Sequence, residues 1–428
     1  DILGTNDDPT PVSTDSGSSE YEDARHGTHV AGIIAARDNG RGMSGVAPRA
    51  TLIPIRLLPD QTKAKFKPTG ALQVLADATT HARRHRAFVM NNSWGIFLGA
   101  DLTEITVDNQ ETRHFWLPRV ARQGGSYETL AELGSLPEPG APPTPSRNFV
   151  QEIVTAVTTT PELLMVFAAG NNGWNSETGM VPTFRNGDDA EKYRKGEKVD
   201  DLQFLRSTAS QFKDLNMRKH NLPEPFPAAF LKHKALKGYW LAVIATDRQN
   251  RIANFSSGCG EAANYCMAAP GVDIRSTVPG GGYKSEFGTS MAAPMVSGAA
   301  AVLKQIFPNQ SAKDISTILL CTATDLDRTS GRPTKSAEEC ADKGPEATHT
   351  SGWTPSEVYG HGLLNLARAL RPIGQTRAGA ADALGVAATA DTRVAFSSAF
   401  GDAAPSQSFN FGGFDMFGRV YNFRAPLQ

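Results

Sequence analysis

Four short runs in this chain are apolar at nearly every position: residues 50–58, 87–91, 163–168 and 240–246. A strand with one face in water alternates apolar and polar side chains, whereas a strand buried on both faces does not. Between or beside these runs lie segments with apolar residues at helical spacing: 27–37, 70–84, 149–158, 290–306 and 312–321. Continuous apolar strands alternating with helices predict an α/β fold with a mostly parallel sheet and helices on both faces. Functional groups on such a sheet gather beyond the C-terminal ends of the strands. Ser93 and Asn171 directly follow two of the runs. A chain of 428 residues, 40% hydrophobic and 20% charged, has enough apolar surface for a full core of this kind.

The segment Phe287-Gly288-Thr289-Ser290-Met291-Ala292-Ala293-Pro294 places a serine where a helix begins. Gly288 removes a Cβ beside the serine. The first helical N–H groups and the positive dipole end suit an oxyanion. Pro294 falls near the first turn, where a missing donor costs little. His26-Gly27-Thr28-His29-Val30-Ala31-Gly32 leads into the run Ile33-Ile34-Ala35-Ala36. Ala168-Ala169-Gly170-Asn171-Asn172-Gly173 closes one strand-like run, and Asn91-Asn92-Ser93-Trp94-Gly95 closes another. Taken singly, Ser290 reads as a helix cap and Asn171 as a turn residue. Taken together, a serine, a histidine and an amide donor are the apparatus of acyl transfer.

The sequences HGTHVAG, AAGN and GTSMAAP, in that order, resemble the subtilisin-like serine proteases of the peptidase S8 family. The matching pieces run from His26 to about Leu364. The resemblance implies a three-layer subtilisin-like fold and acts residue by residue. Ser290 would be the nucleophile and His26 the general base, with His29 a structural residue behind it. Asn171, rather than Asn172, would donate to the oxyanion together with the Ser290 backbone N–H. Ser93-Trp94-Gly95 and Ala168-Ala169-Gly170 look like the two walls of the specificity pocket. Backbone at Ser93 and Gly95 would pair with an extended protein or peptide substrate. Trp94 is open between core and groove.

A triad also needs a carboxylate to orient the histidine. In this family it follows an apolar strand, in a pattern like Val-Ile-Asp-Ser/Thr-Gly, well before the histidine. Asp15-Ser16-Gly17 matches by letter but follows the polar stretch 8–14 and reads as a loop. Asp7-Asp8-Pro9-Thr10-Pro11 is similar to the loop between the aspartate and the histidine of kexin-like relatives. The expectation is that the first strand and its aspartate lie upstream of Asp1. The alternative to an endopeptidase is then a catalytically impaired fragment, or a binding or adhesive passenger.

Segments 238–243, 252–259 and 266–271, and the tail after Gly362, look like the passenger proteases of bacterial autotransporters. That implies secretion or a bacterial cell-surface location, reached through the periplasm. It also admits an outer-membrane β-barrel in the full-length protein. Residues 1–372 are expected to form the peptidase domain, and 373–428 an Ala/Gly-rich linker leading to a β-rich region. The latter is too short for eight strands of about 10 residues each.

Lys and Arg total 43 against 44 Asp and Glu, so no global field favours nucleic acid. No apolar run reaches the ~18 residues that span a bilayer. Cys259 and Cys266 flank one polar loop, Cys321 and Cys340 another, which predicts two disulfides and an oxidising compartment. Four free thiols would instead favour a cytosolic hydrolase of another fold. No metal-ligand spacing accompanies the cysteines. The chemistry requires no cofactor. Structural calcium is admitted by the resemblance, with Asp7 and Asp8 as candidates, although no EF-hand loop is present. Gly280-Gly281-Gly282 reads as a turn. Residues 97–146 and 175–237, charged and weakly periodic, look like insertions that border the groove or decorate the surface.

Overall fold

The computed structural model describes residues 19–55, 68–95, 100–107, 111–118, 148–171, 180–194, 198–206, 223–224, 226–326, 335–347, 349–378, 386–388 and 408–426. In chain order the first elements are α1 (Ser19–Ala35), α2 (Pro68–Arg84), β1 (Val89–Asn92), β2 (Ala100–Val107) and β3 (Glu111–Pro118). Then follow α3 (Phe149–Thr158), β4 (Leu164–Ala168), β5 (Met180–Phe184), α4 (Gly187–Arg194), β6 (Leu202–Arg206) and β7 (Trp240–Thr246). Next come β8 (Cys266–Pro270), β9 (Ile274–Val278), β10 (Gly282–Glu286), α5 (Thr289–Ile306), α6 (Ala312–Thr322) and α7 (Ala337–Lys343). The chain closes with α8 (Leu366–Ala369), β11 (Thr376–Ala378), β12 (Val386–Ala388), β13 (Ser408–Phe414) and β14 (Val420–Pro426).

The central sheet has the order β1-β4-β7-β8, and every pairing in it is parallel. All positions of β4 and β7 are buried, so both faces are covered, which is why their sequences do not alternate. Leu241, Val243 and Ala245 of β7 join the main core with Leu75 of α2, Ile153 of α3 and Val296 of α5. Ala242 and Ile244 point into a second cluster with Ile252, Cys259, Cys266 and Tyr359. Helix α5 packs across all four strands and carries α1 and α6 against it. The result is the three-layer α/β arrangement expected from the sequence.

Two expectations need correction. The apolar run 50–58 forms no strand over residues 50–55, and the remainder lies outside the described residues. The parallel sheet ends at β1, and no described strand offers 50–55 a ladder; Leu52 is left 43% exposed. Helix α1 begins at Ser19 rather than near Gly27. Packing against α5 and β9 outweighs the ~1 kcal/mol that an internal glycine costs.

The two insertions have structure of their own. They supply β2 and β3 on one side and β5 and β6 on the other, and combine into a four-stranded antiparallel sheet, β2-β3-β5-β6. Its small core holds Ile105, Phe115, Val181, Phe184 and Ala190. Arg113 is fully buried in it. Its Nε donates to Thr183 Oγ1 at 3.0 Å, and its Nη2 donates to the Thr183 and Asp201 carbonyls at 3.1 and 3.0 Å. A buried, fully satisfied arginine is tolerated, but it hides the strand from any hydrophobic pattern.

At the C-terminus, β13 and β14 form a hairpin that packs on the α/β body. Arg419 and Asp415 make a buried ion pair, Nη2 to Oδ2 at 2.6 Å. The same guanidinium donates to the carbonyls of Ala369 and Arg371, the C-terminal end of α8. Phe307 and Tyr421 close the contact with ring centroids 5.5 Å apart.

Candidate active site

Ser290 is the second residue of α5, half-buried at the C-terminal edge of the parallel sheet. The helix starts there because Gly288 precedes it at φ +152°, a backbone that side chains other than glycine rarely adopt. Ser290 Oγ donates to the Ser93 carbonyl at 3.2 Å, and Ser93 Oγ donates to the Ser290 carbonyl at 2.8 Å. The proposed nucleophile is thus tied to one proposed pocket wall.

Asn171 follows β4. Its Oδ1 accepts from Thr289 N and from Thr289 Oγ1, both at 2.9 Å. A backbone N–H can only donate, so the amide's orientation is fixed: Oδ1 faces Thr289 and Nδ2 faces the other way. Nδ2 then lies 3.6 Å from where a Cβ on Gly288 would stand. Gly170 N in turn donates to Thr289 Oγ1 at 3.2 Å. The side-chain amide and the first N–H groups of α5 therefore border one small space.

His26 lies on α1, which reaches α5 through Val30, Ile33 and Met291. The β9–β10 hairpin grips the same turn. Ser276 Oγ donates to the His29 carbonyl at 2.7 Å, and Thr277 Oγ1 donates to the Thr28 carbonyl at 3.0 Å. His29 is fully buried with Nε2 2.9 Å from the Lys284 carbonyl, so Nε2 carries the proton and the ring acts as a strut. Arg25 pairs with Glu286 at the end of β10. The hairpin that ends at Glu286 runs directly into the Ser290 turn, so it links the histidine to the serine.

Although part of the His26 side chain reaches solvent, the atoms packed around the ring desolvate it and push its pKa below the ordinary value. Glu286 partly opposes this, while His29 and Arg25 add to it. A lowered pKa keeps the imidazole neutral, and so able to accept a proton, at neutral pH. The resting hydroxyl of Ser290 is directed to Ser93. Catalytic proton-transfer contacts often tighten only when substrate binds.

Of the proposed walls, Ala168, Ala169, Gly170 and Ser93 are buried, and Gly95 is exposed. Trp94 packs edge-on against Phe167 and Phe226, with centroids 6.2 and 5.4 Å away, and its Nε1 donates to Asn92 Oδ1. Its ring belongs to the core, which leaves its backbone for the groove. Asp7, Asp8, Asp15 and Asn172 lie outside the described residues.

Two parts of the site escaped the sequence reading. One is the β9–β10 hairpin, whose only local signal is the Pro279-Gly280-Gly281 turn at its tip. The other is Glu224, where the second insertion returns to the sheet and its N–H donates to the Ala169 carbonyl at 2.8 Å. Nothing in the local sequence marks it.

The cysteines pair as expected, Cys259 with Cys266 and Cys321 with Cys340, at Cα separations of 5.7 and 5.5 Å. Among the described residues no group of three or more His, Cys, Asp or Glu side chains converges to hold a metal. No helix among them is long and apolar enough to cross a membrane.

The chain is 31% identical to the extracellular serine protease of Serratia marcescens over 323 residues, which cover 70% of this chain and 26% of that protein. It is 28% identical to subtilisin BL of Lederbergia lenta over 304 residues, covering 71% of this chain and 72% of the relative. The chain thus spans about a quarter of the Serratia protease and most of the subtilisin. Against the solved structure of MycP1 with its N-terminal propeptide removed, 81% of this chain and 79% of that one align at 21% identity and a TM-score of 0.44. The subtilase family, Peptidase S8, matches residues 3–362, and the chain belongs to that family.

Proposed function

We propose that this chain is a serine endopeptidase that hydrolyses peptide bonds through an acyl-enzyme on Ser290. His26, neutral at working pH, takes the Ser290 proton as Oγ attacks the carbonyl carbon. The carbonyl oxygen becomes an oxyanion and receives hydrogen bonds from Asn171 Nδ2 and the Ser290 N–H. The imidazolium then gives its proton to the leaving amine, and water repeats the sequence to release the acid. The observation that carries this reading is the Thr289 clamp, because it fixes Asn171 with its two donor hydrogens turned toward Gly288. Backbone at Ser93 and Gly95 would hold an extended peptide as an added strand. The chemistry requires no cofactor.

We place the protein outside the cytosol, secreted or on a bacterial cell surface. Two disulfides support an oxidising compartment. An outer-membrane β-barrel in the full-length protein rests on the autotransporter resemblance alone. We likewise assign 1–372 to the peptidase unit and 373–428 to a C-terminal region, on composition.

A binding passenger without turnover is the second reading. It is favoured by one observation: the acidic group that acts on His26 among the described residues is Glu286, which is already paired with Arg25. Labelling with a fluorophosphonate probe separates the two. It should be done on the full-length protein, with Ser290→Ala as control. Adduct on Ser290 supports the peptidase. Absence of adduct on the folded protein removes it in favour of the binding reading.

A further inference from the structure

The two walls of the proposed pocket are edged by glycines, Gly95 and Gly170, and one side chain reaches both. A Cβ on Gly95 would stand 1.7 Å from Glu224 Oε2 and 2.8 Å from its Cδ. A Cβ on Gly170 would stand 2.8 Å from Glu224 Cγ and from Oε1. The Glu224 carboxyl therefore takes the volume that side chains at both glycines would otherwise need. It lies against both walls, partly buried.

The segment that carries it is anchored. Glu224 N donates to the carbonyl of Ala169, itself a wall residue, and Ala228 N donates to the Glu224 carbonyl at 3.2 Å. Pro223 and Phe226 on either side are buried. Trp240 Nε1, from the middle of the sheet, donates to the Phe226 carbonyl at 2.8 Å. The Phe226 ring meets Trp94 on the opposite wall. Glu224 is half-buried at the end of this strut, so its position is set by the core.

We propose that Glu224 determines specificity: the pocket takes the cationic side chain of a lysine or arginine immediately N-terminal to the scissile bond. This rests on the peptidase reading above. The other wall residues, Ala168, Ala169 and Gly170, are small and uncharged, so Glu224 supplies the charge at this point. A carboxylate has about four lone-pair sites, so it can receive a substrate cation while keeping its other contacts. Hydrogen bonds between charged groups are shorter and stronger than neutral ones, and Arg can bind both oxygens at once. Partial burial between two walls limits screening by water. A glutamate or aspartate on the substrate would meet like charge and be rejected.

The test is kcat/KM on peptides that differ only at the residue before the scissile bond: Arg, Lys, Leu, Ala and Glu. The full-length protein is used, and Ser290 labelling is measured on the same samples. The unmodified protein should cleave the Arg and Lys peptides on the order of 10–100-fold faster than the Leu peptide, and the Glu peptide least. Glu224→Gln should collapse the Arg-to-Leu ratio, and Glu224→Arg should invert the Arg-to-Glu ratio. A labelled protein that prefers Ala, with Glu224 acting as a plug, overturns the inference and leaves the peptidase reading standing. So does a labelled protein with no preference. A folded protein that neither labels nor cleaves any peptide defeats the peptidase reading, and the inference with it. The profile of the unmodified protein decides the matter even if a variant fails to fold.

Discussion

Gly32→Ala is the sharpest perturbation that the structure offers. Gly32 lies where α1 crosses β9. A Cβ there would stand 2.2 Å from Thr277 Oγ1, 2.4 Å from Ser276 Oγ and 3.1 Å from Thr277 N. Ordinary contact begins near 3.4 Å, so the approach is too close by about 1 Å. Relief can come in two ways. The hydroxyls can swing aside, which breaks the bonds to the Thr28 and His29 carbonyls. Each is worth about 1 kcal/mol, and more where a buried group is left unpaired, as the fully buried Ser276 would be. Alternatively the hairpin moves by about 1 Å, and a shift of that size at a catalytic group costs about 10²-fold in rate. Against this stands a gain of about 1 kcal/mol from replacing glycine within a helix. The net expectation is a loss of about 1–3 kcal/mol in urea denaturation together with a drop in kcat/KM. Adding Ser276→Ala should recover part of both, because it removes one obstacle, and the double-mutant cycle should show that coupling. If Gly32→Ala is stabilising by the full helical gain and turns over normally, the close approach of α1 and β9 is refuted.

Asn171→Ala should lower kcat by about 10²–10³ with little change in KM, the pattern of a donor used only in the transition state; that figure was measured on a subtilisin, a member of this family. An unchanged kcat would remove Asn171 from the oxyanion site. His361 is fully buried, and burial first, then nearby Lys335, hold its pKa well below the ordinary value. The unfolded chain binds a proton at this group below about pH 6.5 while the folded chain does not, so stability should fall as pH drops from there toward the folded value. His26 and His349, shifted the same way, act in the same direction. Urea midpoints at pH 8 and pH 5 measure the difference, and His361→Asn should flatten it; a slope that His361→Asn leaves intact would refute the assignment. Replacing Cys321 and Cys340 with serine releases a link of sequence separation 19 between α6 and α7 and should cost about 3 kcal/mol, read as a lower unfolding free energy in urea under non-reducing conditions, where Cys259–Cys266 stays intact.

Much of the framework was legible in local pattern. Strands β4 and β7 announced themselves because burial on both faces requires apolar residues throughout, whereas β1, Val-Met-Asn-Asn with alternating burial, was marked only by the short apolar run that leads into it. Helices α2, α3, α5 and α6 fall within about two residues of their expected bounds, where apolar periodicity and flanking capping residues agree; Ser311 and Asp314, for example, form a capping box at α6. The β9–β10 hairpin was not legible, because four of the five β10 residues are exposed and carry no apolar pattern. It is held by backbone pairing and by hydroxyls reaching α1, which depend on residues some 250 positions apart. The accessory sheet was missed because its core is small and includes a buried Arg113, so its strands read as charged insertions.

By itself, the sequence determined the α/β class, three of the four parallel strands and the motifs that carry the proposed serine, histidine and asparagine, because each rests on contiguous residues whose pattern or motif is self-contained. Tertiary structure alone decided three things: that Thr289 orients Asn171, that the hairpin supports His26, and that Glu224 stands between Gly95 and Gly170. The reason is physical. Periodicity reports which face of an element is buried, but not which distant group is packed against it. A glutamate in a weakly periodic insertion becomes part of a pocket only when the core fixes the segments on either side of it.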